Sequence, residues 1–123
     1  MERKLLGQRT IEFSKKIIDL CNQIDDLKQY VISRQLMKAA TAIGAMAHEA
    51  QHAETTDDFI HKLKIACKEA NETEYWLCLC EKFIEIKDEV KNDLAIIKKI
   101  INKSIATAKE TKKKREKEKG DRR

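Results

Sequence analysis

Proline is absent from the chain, and glycine occurs only three times, at Gly7, Gly44 and Gly120. The residues that punctuate sheets, hairpins and tight turns are therefore nearly missing, which leaves long helices as the natural local structure. No run approaches the roughly 20 consecutive apolar residues that a membrane span needs, and the N-terminus lacks the continuous apolar stretch of a signal peptide. A bacterial, cytoplasmic location without membrane contact is the expectation. No serine is marked as a nucleophile, no glycine-rich loop could cradle phosphate, and the carboxylates are scattered among lysines as on solvated helix faces. No catalytic residue, cofactor or small-molecule substrate is expected.

A chain of 123 residues supports about one domain with one modest core. Charged residues make up 38% of it and favour helix at exposed positions, while the 41% apolar fraction supplies one buried stripe per helix. Phe13, Ile17, Leu20 and Ile24 recur at four, three and four residues and predict a first helix over 8–24. Val31, Leu36, Ala39, Ile43, Ala47 and Ala50 are placed inward on a second helix over 28–52, whose small residues, Gly44 among them, admit a close neighbour. Thr55 and Asp58 have the spacing of a capping box variant, so Thr55 or Thr56 caps a third helix running to about residue 84, with Phe59, Leu63, Ala66, Ala70 and Leu77 inward. A fourth helix opens near Asp88 with Val90, Leu94, Ile97, Ile101 and Ala108 inward, and Ile96, Ile100 and Ile105 widen its stripe enough to suggest contact with another chain. Tyr75 and Trp76 form the close aromatic pair of the third helix. The four segments predict an all-α, antiparallel up-down four-helix bundle.

Net charge is unevenly spread. Of the 26 basic and 21 acidic residues, nine basic and four acidic lie in 109–123, which leaves 17 of each in the remainder. The whole excess of +5 therefore falls in this segment, a basic extension after a bundle domain of residues 1–108. Lys112, Lys113, Lys114, Arg115, Lys117 and Lys119 are candidate phosphate contacts, helped by Arg34 and Lys38 on the second helix. Against this, the extension also holds acidic residues and no aromatics to stack on unpaired bases, so a solvated terminus, helical or frayed, is the competing reading.

His48, Glu49, Ala50, Gln51 and His52 spell the H-E-x-x-H signature of zinc metalloproteases, in which two histidines four apart share Zn²⁺ and the glutamate is the base. His61 lies beyond the expected turn, and no third ligand or cleft accompanies the pair, so surface or interface histidines are expected and no metal. Four cysteines, Cys21, Cys67, Cys78 and Cys80, are read as reduced, buried thiols; residues 78 and 80 point to different faces and match no C-x-x-C arrangement.

The central segment resembles a known family. Thr41-Ala42-Ile43-Gly44-Ala45-Met46 followed by Glu49-Ala50-Gln51, then Asp58-Phe59-Ile60-His61-Lys62-Leu63-Lys64-Ile65-Ala66, and Lys68-Glu69-Ala70-Asn71-Glu72-Thr73-Glu74-Tyr75-Trp76-Leu77 are similar to the four-helix bundle proteins encoded by intervening sequences within bacterial 23S rRNA genes. The resemblance covers about residues 33–84 and departs from the family at Met46, where asparagine is usual, and at His52, where an aromatic is more frequent. It implies a ring-like homopentamer without catalytic activity and with an association with nucleic acid. Together the readings give a non-enzymatic oligomer that binds rRNA or a nucleic-acid-associated partner through its basic surface, with Ile96, Ile100, Tyr75 and Trp76 in the subunit interface. A purely structural oligomer is the alternative, and an HExxH zinc hydrolase ranks last.

Overall fold

The computed structural model describes residues 2–121; residue 1 and residues 122–123, the outer ends of the two sequence segments, lie outside the described residues. Four helices follow one another, α1 (Glu2–Asp26), α2 (Tyr30–Gln51), α3 (Thr56–Cys80) and α4 (Asp88–Asp121), with no strand among the described residues. Each helix buries most of the stripe that its spacing predicts. Phe13, Ile17, Leu20 and Ile24 of α1 meet Leu36, Ile43 and Ala47 of α2, Leu63 and Ala66 of α3, and Leu94, Ile97 and Ile101 of α4 in a single core.

Pairings along the seams fix the direction of every helix. Thr10 faces Gly44 and Cys21 faces Ser33 across α1 and α2; Glu49 meets Lys62 across α2 and α3; Glu74 meets Lys98 and Asp57 meets Lys112 across α3 and α4. Lys16 closes the square by bridging to Asp93 at 2.6 Å and Glu89 at 2.7 Å on α4, which holds its ammonium above the usual lysine range, Asp93 contributing most. Across α1–α2 and α3–α4 partner numbers fall on one helix as they rise on the next, and a four-residue loop turns α2 back into α3, so the bundle is antiparallel and up-down. α1 and α3 each lie beside α2 and α4 and stand at opposite corners of the bundle, their side chains meeting only in its core.

Turn chemistry explains the helix ends. α1 stops in a Schellman arrangement in which the Lys28 N–H donates to the Asp25 carbonyl and the Gln29 N–H to the Ile24 carbonyl. Lys28 takes the left-handed conformation there (φ 61°), a position that glycine usually occupies. Thr55 caps α3, its hydroxyl oxygen accepting from the Asp58 N–H at 3.0 Å, with Asp57 and Asp58 at the positive end of the helix. Gly44 is needed for a close approach: a Cβ there would lie 3.2 Å from Thr10 Cβ and Oγ1, so the α1–α2 seam closes over a buried threonine whose hydroxyl donates to the Gly7 carbonyl.

Several sequence expectations are corrected. α1 begins at least six residues earlier than expected, and Val31 is exposed (67%) rather than inward, because it lies five residues before Leu36 and a helix turns such a position away from the core. Ile32 packs on the core in its place. α3 ends at Cys80 rather than near residue 84; Phe83 and Ile84 keep an apolar rhythm but lie half-buried in the connecting loop. Ala108 is half-buried at the edge of the core. No described helix is long and apolar enough to cross a membrane.

Candidate nucleic-acid interface

The basic segment continues α4 without a break. At 34 residues α4 is about 51 Å long, against about 33 Å for α2, so its last turns run past the end of the bundle. Lys112 marks the point of departure, paired with Asp57 in the first turn of α3, which raises the lysine pKa. Beyond it the cations divide between two helical stripes. Lys113 and Lys117 follow Lys109 at intervals of four on the outer face, whereas Arg115 turns inward and, with Thr55, Thr107 and Thr111, lines a cleft between α4 and the α2–α3 loop. None of Lys113, Lys114, Arg115, Lys117 and Lys119 makes a hydrogen bond or ion pair among the described residues, and all are exposed. Such free ammonium and guanidinium groups on a rigid projecting rod suit phosphate oxygens and provide no base readout by themselves.

Arg34 and Lys38 are exposed on α2 near the other end of the bundle. Residue 34 is about 25 Å along α2 from the end from which α4 projects, so these two are not part of the same surface as the basic rod. The expected interface residues are likewise divided. Ile96 and Ile100 lie on the side of α4 that carries Asp93 and faces Lys16 of α1, Ile96 exposed and Ile100 half-buried. Tyr75 and Trp76 lie on α3, their rings edge to face with centroids 5.2 Å apart and the tyrosine 58% exposed.

The H-E-x-x-H residues occupy the last turn of α2. His48 and His52 are exposed with ring centroids 4.9 Å apart, and Glu49 reaches Lys62 at 4.0 Å. His52 is the C-cap of the helix, and His61 is on the exposed side of α3. Among the described residues no group of three His, Cys, Asp or Glu side chains is arranged to hold a metal ion.

All four cysteines are free, but only Cys21 and Cys80 are buried; Cys67 is half-buried and Cys78 exposed, since residues two apart on α3 face different ways. Burial, then the nearby Cys21 sulfur, pushes the Cys80 thiol up to about 11, and burial raises Cys21 as well. A thiol reagent at pH 8 is therefore expected to label Cys78 first and to reach Cys21 and Cys80 only as the bundle opens. Peptide mass spectrometry after timed labelling checks this; equal rates at Cys78 and Cys80 would contradict the packing.

Sequence reasoning missed a second polar surface. His61, Lys64, Lys68, Asn71 and Tyr75 succeed one another at intervals of three and four, forming an exposed ridge along α3. Beside its far end a groove of about 900 Å³ opens between this ridge, Gln35 of α2 and Ile105 of α4. The three-and-four rhythm of these exposed residues was the available signal, but the walls from α2 and α4 exist only once the helices pack.

Fold and surface together define an all-helical bundle with one basic projecting helix. The chain belongs to the 23S rRNA-intervening sequence protein family, whose model matches residues 5–106. It is also similar to a protein of unknown function from the S23 ribosomal protein family of Bacteroides thetaiotaomicron, known from a crystal structure. The two are 36% identical, with a TM-score of 0.81, over 86% of this chain and 99% of that one. No curated protein matches the chain. The match to the family model ends just before the basic segment.

Proposed function

We propose that the chain is a non-catalytic, self-assembling helical bundle of the cytoplasm that binds RNA, ribosomal RNA foremost, through the projecting end of α4. The observation that carries this reading is the group of five exposed cations, Lys113, Lys114, Arg115, Lys117 and Lys119, left without protein partners on a helix that has outrun its bundle. A solvated surface helix is ordinarily laced with ion pairs; here the free charge is gathered where an extended polyanion can reach it. Ribosomal RNA is put first among RNAs because the family's description names an intervening sequence of 23S rRNA. Arg34 and Lys38 would form a separate, minor contact at the opposite end of the bundle.

Assembly supports the same reading. Ile11, Ile18, Tyr30, Val31 and Ile96 are exposed large apolar side chains that a second copy of the chain could cover. A ring such as a homopentamer, with Ile96 and Ile100 in the subunit contact, would bury part of them, while Tyr75 and Trp76, expected beside them from the sequence, stay open on α3. Head-to-tail contacts, which join two different surface patches, close such a ring. If the ring axis runs along the helices, every α4 end projects from one side, and several weak phosphate contacts act as one strong site. The pure assembly reading shares the ring and omits the RNA.

The two readings part on one experiment. Binding of rRNA fragments is measured against ionic strength for the full chain and for residues 1–108, with light scattering on both. The full chain is expected to bind with an affinity that falls steeply with salt, and the shortened chain to assemble but bind weakly. Affinity that survives the truncation and is flat with salt overturns the RNA arm; a dilute monomer overturns the ring.

A further inference from the structure

We propose that the groove beside Tyr75 and Trp76 is a stacking site for unpaired nucleobases of single-stranded RNA, separate from the phosphate-binding end of α4. The proposal rests on the RNA-binding reading of the chain and adds to it a place where bases, rather than phosphates, are held.

Three features converge on this occupant. The first is the aromatic pair: Tyr75, 58% exposed, and the half-buried Trp76, edge to face with it, both line the groove. A base has a π-face whatever its identity, and such platforms accept any sequence. The second is charge. Lys64 and Lys68, one turn apart on the same ridge, are exposed and free of ion pairs and hydrogen bonds, whereas Lys16, Lys62, Lys91, Lys98 and Lys112 are all paired with carboxylates. They outnumber Glu72, the acidic residue of the groove, so a polyanion is favoured over an acid-poor or basic ligand. The third is amide chemistry. Gln35 and Asn71 face the groove with no hydrogen-bond partner among the described residues, and their paired donor and acceptor groups match the edge of a base.

Position supports the same occupant. Lys64 lies seven residues along α3 from Asp57, which pairs with Lys112 at the foot of the projecting helix, a separation of about 10 Å. A strand leaving the end of α4 therefore meets His61, Lys64 and Lys68 in order before it reaches the rings. Duplex RNA keeps its bases stacked inside and has nothing to offer Tyr75.

Trp76 is the single tryptophan of the chain, so its emission reports directly on the groove. The full chain is titrated with a single-stranded RNA of about ten nucleotides and with a duplex of equal length, following tryptophan emission and the anisotropy of labelled RNA. Saturable quenching by the single strand and none by the duplex is expected. Tyr75→Ala should weaken single-strand binding about tenfold while leaving duplex binding unchanged. The double substitution Lys64→Glu, Lys68→Glu should weaken it as well, and all three positions are exposed, so circular dichroism should show an unaltered bundle. RNA that binds by anisotropy without changing Trp76 emission, and binds Tyr75→Ala as tightly as the parent, overturns the groove and leaves the α4 reading standing. Emission that changes with protein concentration and ignores RNA overturns it in favour of a second copy of the chain on this face. No binding of either RNA overturns both.

Discussion

Replacing Phe13 with alanine is expected to lower the stability of the bundle by about 3–5 kcal/mol. Phe13 is the largest of the fully buried side chains, 1% exposed, in a core it shares with Ile17, Leu36, Ile43, Leu63, Ile97 and Ile101. These residues come from all four helices, so closing the hole left by a missing ring means moving several helices at once. The α1–α2 seam is already tight, since even a Cβ at Gly44 would stand only 3.2 Å from Thr10. The lost transfer energy and an uncollapsed cavity both count against the variant. For a domain whose total stability is of the order of 5–15 kcal/mol, a large part of the folded margin goes with one residue. Urea unfolding followed by circular dichroism measures it, with the m-value unchanged if the denatured state is unaffected. Val31→Ala, on the exposed side of α2, should change stability by no more than about 0.5 kcal/mol. Equal effects at positions 13 and 31 would mean that the inward stripe of α1 is wrongly placed.

That contrast shows where the sequence was legible. A stripe recurring at three and four residues is a local signal, and Phe13, Ile17, Leu20, Ile24, Leu36, Ile43, Leu63, Leu94 and Ile97 all went where it put them. Val31 failed because a helix boundary fell beside it: the five-residue step to Leu36 crosses the first turn of α2, where nothing local fixes the register. The same lack of glycine and proline that made long helices readable made their ends hard to read. No stop signal separates Cys80 from Ile84, and Lys28 takes a left-handed turn that nothing in its side chain announces. Charge is legible because it needs no fold, so the basic segment was visible at once; its helical state was not, since interleaved Glu and Lys suit a frayed arm as well as a rod. Faces that depend on how helices are rotated against one another were invisible. Ile96 and Tyr75 look alike in sequence as apolar residues outside a stripe, yet they belong to different seams, and the Tyr75 groove needs side chains from α2, α3 and α4.

Reversing Lys113, Lys114, Lys117 and Lys119 to glutamate is expected to remove most of the affinity for duplex RNA, which does not use the α3 groove, and nearly all of its salt dependence. The argument is one of counting. Each phosphate neutralised by a cation releases condensed counterions, so the logarithm of affinity falls with the logarithm of salt at a slope of about −0.7 per contact on single strands and −0.9 on duplex. Five free cations at the end of α4, these four and Arg115, set the slope at about −3.5 to −4.5 if all are engaged. Affinity of the parent chain should then drop by roughly 100- to 500-fold between 50 and 200 mM salt. Lys112 is left out of the count because Asp57 already neutralises it, and Lys112→Ala should accordingly leave the slope unchanged. The quadruple variant keeps only Arg115 and replaces attraction by repulsion, so its slope should fall to about −1 or less. The substituted side chains make no hydrogen bond or ion pair and are exposed, so the bundle should melt near the temperature of the parent. A slope that stays near the parental value in this variant would place the phosphate contacts elsewhere, and Lys64 and Lys68 on the α3 ridge would be the first cations to remove next.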